Sequence, residues 1–98
     1  MQWPTKDPGE TFVVDFDYSQ MSGVGTLTGT PVVTVTMTYG IDSNPSAILS
    51  GAAYLNGNIV YQVVQGGQSG CIYHLSCSAT DNNGMTFVVS ADLPVIVE

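Results

Sequence analysis

Basic side chains are almost missing from this 98-residue sequence. Lys6 stands alone against eight Asp and Glu, there is no Arg, and the formal net charge is −7. That shortage all but excludes nucleic-acid binding, which needs Lys and Arg to neutralise phosphates. Anionic membrane surfaces are disfavoured for the same reason. Long apolar runs are also absent, and nothing approaches the roughly 20 residues of a membrane-spanning helix. The segment Met1–Pro8 has no apolar stretch, so no secretory signal is expected there. His74 is the single His, and Cys71 and Cys77 are the only cysteines. These are too few for a structural zinc site. On one extended strand the two thiols would lie about 20 Å apart, whereas a disulfide needs Cα atoms within about 7 Å. Both are therefore expected as small buried apolar groups, which suits a reducing compartment.

What is present is apolar and patterned. Hydrophobic residues make up 44% and charged residues 9%, which excludes a disordered chain. The length fits one small domain, burying roughly 60–65% of its surface on folding. Residues 1–10, with Pro4 and Pro8, read as an extended arm and residues 11–98 as the folded body. Phe12, Val14, Phe16 and Tyr18 alternate with more polar residues, and so do Val33, Val35, Met37 and Tyr39. Period two marks strands with one buried face. Further strands are expected over Ile48–Leu55, Ile59–Gln65, Cys71–Thr80 and Met85–Leu93, with a weak one near Val24–Leu27. In the Cys71–Thr80 strand, Cys71, Tyr73, Leu75, Cys77 and Ala79 form the apolar face. Ser19–Thr30 is a Gly- and Ser-rich loop. Asn56-Gly57 marks a hairpin in which both residues take positive φ, and Asp81–Gly84 marks another. No stretch carries a helical stripe. About seven short strands, with a turn signal roughly every ten residues, predict an all-β, immunoglobulin-like antiparallel sandwich. A small barrel is the alternative.

Chemistry-bearing groups are sparse and none forms a catalytic set. His74 shares a strand face with Ser76 at about 7 Å, too far for a direct bond. Asp15 and Asp17 have a separation that a glycosidase pair could use, but on an open strand face they serve better as charges that keep an edge soluble. Asp81-Asn82-Asn83-Gly84 echoes a calcium loop without its closing Glu. No enzyme, cofactor or metal site is expected. Trp3 lies in the arm, where an aromatic can anchor a neighbouring subunit or move freely with the tail. The Thr34, Thr36, Thr38 row, with Ser76 and Ser78, gives a low-charge face suited to packing against another sheet or to solvent.

Longer blocks resemble a known family. Pro45-Ser46-Ala47-Ile48-Leu49-Ser50-Gly51 is one. Gly66-Gly67 followed by Gly70 and then Tyr73 and Leu75 is a second, and Gly84 with Leu93-Pro94-Val95 a third. Trp3-Pro4, Lys6-Asp7-Pro8 and Glu10 fit at the N-terminal end. Together they resemble small immunoglobulin-like virion proteins of tailed bacteriophages and prophages, the phage fiber–tail adaptors, over about residues 3–95. The Ser19–Thr30 loop departs from that pattern. The resemblance implies a virion structural protein of the tail region, made in the bacterial cytoplasm. Its partners would be tail, fiber or baseplate proteins, with homo-oligomers in the particle admitted. Trp3, Pro4, Lys6 and Pro8 are the candidate partner-anchoring residues. Gly66, Gly67 and Gly70 permit a reversal with positive φ, after which Tyr73 is either a tyrosine corner or an ordinary core residue. Two other functions fit such a domain: a carbohydrate- or cell-surface-binding module, and a regulatory factor absent from the particle.

Overall fold

A computed structural model describes residues 3–97. Among the described residues six strands form in chain order: β1 (Phe12–Asp17), β2 (Leu27–Tyr39), β3 (Leu49–Asn56), β4 (Ile59–Val64), β5 (Cys71–Asp81) and β6 (Thr86–Val95). A 3₁₀ turn, Pro45–Ile48, precedes β3. Two antiparallel sheets, ordered β1-β4-β3 and β2-β5-β6, pack face to face. In the immunoglobulin plan, strands B-E-D and C-F-G occupy these places. The N-terminal arm does not pair with β1; it makes a parallel bridge from Lys6 to Val95 of β6.

Alternation explains the sandwich. Val14 and Phe16 of β1, Val60 and Val64 of β4, and Tyr73, Leu75 and Cys77 of β5 all point between the sheets and are buried. Both cysteines are free and buried. Burial raises the Cys77 thiol pKa. Two polar side chains inside this layer, Tyr18 and Gln62, are bonded to main chain, as buried polar groups require. The Tyr18 hydroxyl donates to the Cys77 carbonyl at 2.6 Å, joining the end of β1 to β5 in the opposite sheet. Burial and this bond push its pKa well above the tyrosine range. Gln62 donates to the carbonyls of Gly51 and Val63.

Several sequence expectations are corrected. The β3–β4 hairpin turns on Gly57-Asn58, since Asn56 pairs with Ile59. Only Gly57 has positive φ, at 63°, the sign pattern of a II′ turn rather than the I′ turn of an Asn-Gly pair. β2 begins at Leu27 and runs through Pro31, with its register shifted between Thr28 and Val32. Pro is tolerated there because β2 is a sheet edge. A second shift between Met37 and Tyr39 takes Tyr39 off the core face and leaves it 67% exposed.

The arm is part of the sandwich. Trp3 N–H donates to Asp92 O, Lys6 N–H to Pro94 O, and Ile96 N–H to Lys6 O. Trp3 is only 7% exposed, and its ring meets Phe16 edge-on at 5.2 Å. A Trp in a mobile tail would be wet. Trp3 is the only Trp, so native fluorescence should be blue-shifted and should move red on unfolding. Trp3→Ala should destabilise the fold by about 3 kcal/mol, the usual scale for a buried large aromatic. Urea unfolding followed by circular dichroism checks this. A native emission already at the unfolded wavelength would free the arm.

Candidate functional site

The four residues expected to anchor a partner are placed differently from one another. Trp3 and Lys6 are buried, Pro8 is half-buried, and Pro4 is exposed. The Trp3 and Lys6 side chains are both packed against the protein itself. The Lys6 ammonium donates to Asp7 O and to Gly66 O at 2.8 Å and lies 6.0 Å from the centre of the Phe12 ring. Burial lowers its pKa, and the carboxylates of Glu10 and Asp7 act the other way. The chain's one basic side chain thus fastens the arm to the turn after β4.

That turn holds Gly66, Gly67 and Gly70, all with positive φ. Gly67 is the most constrained. A Cβ there would lie 3.1 Å from a Val95 methyl. Gln68 N–H donates to the Tyr73 hydroxyl at 2.8 Å, the bonding pattern of a tyrosine corner at the start of strand F. The hydroxyl in turn donates to Asp42 Oδ2 at 2.7 Å. Burial, reinforced by Asp42, pushes the Tyr73 pKa up to about 12. The Tyr73 bond holds Asp42 below the usual carboxylate range, and Asn44 N–H adds to this. A surface depression of about 530 Å³ lies at this end of the molecule between residues 42–48 and 65–68. Asp42 is the one ionisable side chain among the residues lining it.

At the opposite end, the long β1–β2 loop is clamped. Asp81 accepts from the N–H groups of Gly25, Asn83 and Met85. Asn82 Oδ1 accepts from Thr26 N–H. Asn58 accepts from Leu27 N–H and donates to Gly25 O. The stretch that echoed a calcium loop therefore spends its oxygens on main-chain amides. Among the described residues no group of three or more His, Cys, Asp or Glu is placed to hold a metal ion. No helix there is long and apolar enough to cross a membrane.

The outer faces of the two sheets differ. On β2-β5-β6 the register aligns Thr28, Thr80 and Thr86 in one row. Val32, Ser78 and Val88 form the next, then Thr34, Ser76 and Ser90, then Thr36, His74 and Asp92. Val32 and Val88 are 57% and 58% exposed. His74 and Asp92 are the ionisable side chains in these rows, and they meet each other at 2.7 Å. Asp92 also accepts from Thr38. The His74 bond, with Thr38, holds its carboxyl below the ordinary range. The outer face of β1-β4-β3 carries Asp15 and Asp17 beside a stacked pair, Tyr54 and Tyr61, 5.5 Å apart.

A scan against family models matches residues 6–94 to the podophage GP4 fiber-tail adaptor protein gp77. The chain belongs to this fiber-tail adaptor family. The family name marks its members as phage tail structural proteins. No curated protein matches the chain. Sequence reasoning reached the low-charge row of this adaptor-family chain through Thr34, Thr36, Thr38, Ser76 and Ser78. It missed Asn58, Asp81 and Asn82 as loop clamps, because those residue types read first as turn formers.

The clamp gives the fold an acid dependence. Asp81, held low chiefly by Gly25 N–H, stabilises the native state fully above the unfolded Asp pKa of about 3.9. That contribution fades as pH falls through the depressed native value. Asp81→Asn should lower thermal stability at neutral pH and flatten its loss in acid, read as Tm against pH. An unchanged acid slope would remove Asp81 from this role.

Proposed function

We propose that the protein is a non-enzymatic adaptor that joins tail and fiber or baseplate components by direct protein–protein contact. It would be made in the host cytoplasm and built into the particle, without nucleic acid or membrane as a partner. The observation that carries this is the outer face of β2-β5-β6. In a chain of net charge −7, that face presents rows of Thr, Ser and Val, and its one carboxylate is already bonded to His74 and Thr38. Charged residues are depleted at the centres of protein interfaces, and burying an unpaired charge is costly. Such a face suits close packing against another protein.

The test is particle composition and shape. Deleting the gene should give tails without fibers, or incomplete tails, by electron microscopy, and mass spectrometry should find the protein in intact wild-type particles. Thr34 lies in the middle of the face and is exposed. Thr34→Glu and Thr34→Lys should change stability by no more than about 0.5 kcal/mol, as exposed substitutions do, yet both should impair incorporation. Normal particles from the deletion would sink the adaptor reading.

The stacked Tyr54–Tyr61 pair, with Tyr54 50% exposed, favours carbohydrate binding as a second reading. Glycan-array binding that disappears in Tyr54→Ala would establish it. A blank array would leave the pair as cross-strand packing.

A further inference from the structure

In the sheet ordered β1-β4-β3, β1 is an edge. The immunoglobulin plan places strand A beside B at this edge. Here the arm bonds instead along Asp92–Ile96, on β6 of the other sheet. The place beside β1 is left open.

The direction of the open hydrogen bonds follows from the register. Tyr18 N–H donates to Asn58 O, and the same pairing continues as Phe16↔Val60, Val14↔Gln62 and Phe12↔Val64. Antiparallel ladders alternate bonded and non-bonded pairs. Residues 12, 14 and 16 therefore address β4, while the N–H and C=O groups of Val13 and Asp15 point out of the sheet. Edges are normally blunted by Pro, Lys, bulges or covering loops. β2 and β3 have register shifts, and the end of β6 is covered by the arm. β1 is paired in unbroken register over its whole length and contains no Pro, Gly or Lys. Its one protection is charge, from Asp15 and Asp17.

A groove of about 410 Å³ adjoins this edge, between β1 and the arm, lined by Trp3, Pro4, Phe12, Val13, Val14 and Asp15 among others. Trp3 contributes the one buried side-chain polar atom without a hydrogen-bond partner among the described residues, its indole Nε1. Thr5 and Glu10 complete the lining, and a groove beside unpaired main-chain groups is what an added strand requires. Charge selects the occupant. A second copy pairing through β1 would set Asp15 and Asp17 against the same residues of its neighbour, and like charges placed opposite are destabilising. A segment carrying Lys or Arg at alternate positions meets those carboxylates favourably.

We infer that the β1 edge accepts an extended, basic segment of a virion partner as the fourth strand of its sheet. This rests on the adaptor reading and adds a second attachment site to it, distinct from the β2-β5-β6 face.

The experiment compares residue-resolved amide hydrogen exchange of the free protein with that of the protein in assembled particles. The Val13 and Asp15 amides should exchange rapidly in the free protein and slow by about tenfold or more on assembly. Val13→Pro removes an outward N–H and leaves the bonds to β4. It should fold, yet fail to support fiber attachment, while Val13→Thr does support it. Asp15→Asn with Asp17→Asn should weaken attachment. Equal exchange in both states overturns the inference, as does attachment by a folded Val13→Pro protein. If Val13→Pro does not fold, the exchange comparison on the wild type decides. Absence of the wild-type protein from particles overturns the adaptor reading and the inference with it. Presence without protection of β1 overturns the inference alone.

Discussion

Apart from the Trp3 indole, the polar side chains buried in this sandwich have partners, and most of these partners are main-chain atoms of another element. That constraint links the fold together. Tyr18 reaches Cys77 O across the sheets, Lys6 reaches Gly66 O from the arm, and Asp81 reaches Gly25 N–H from the far hairpin. Each is a bond between residues more than 50 apart in sequence. In antibody-type domains a disulfide between strands B and F joins the sheets. Here both thiols are free, and Tyr18 at the end of β1 makes the link to β5. A hydrogen bond of this kind adds about 1 kcal/mol net, but leaving its group buried and unpaired costs about 1–3 kcal/mol. The bonds therefore act as specificity devices: alternative packings are penalised because they orphan a hydroxyl, an ammonium or a carboxylate.

The arm shows how one such requirement shapes the surface. Lys6 is wholly buried, and its ammonium is satisfied only where the Gly66 carbonyl and Asp7 O converge. That fixes the path of residues 3–6 along β6 and draws the Trp3 ring over Phe16. The same path removes these residues from the place beside β1. The open edge and the adjoining groove are thus consequences of where the single lysine is buried.

Strand content and the core were legible in the sequence because period-two alternation is a direct record of burial. Cys71, Tyr73, Leu75, Cys77 and Ala79 were read as one apolar face and all are buried. Tyr39 was misplaced because one register shift inverts every later side chain, and nothing in Met37-Thr38-Tyr39 announces the shift. The burial of Lys6 and Trp3 was not legible for a different reason. An isolated Lys and Trp among prolines look like a terminal tail, and only tertiary geometry supplies the carbonyls and the aromatic edge that receive them. The charge-poor sheet face was legible as a Thr and Ser row, but its extension through Val32, Val88 and Ser90 needed the register of β6.

An adaptor must hold two things at once, and the two surfaces differ in the physics they offer. The β2-β5-β6 face is broad and almost uncharged, so as a proposed contact it would draw affinity from shape and buried area, which salt screens weakly. The β1 edge offers directional main-chain bonds guarded by carboxylates, so as a proposed contact it would draw selectivity from charge that falls as ionic strength rises. The surfaces belong to different sheets of a body 42 Å long and about 22 Å across, with the shared core between them. In the proposed adaptor role, a shared core tied by polar bonds would link two chemically distinct contacts through one body.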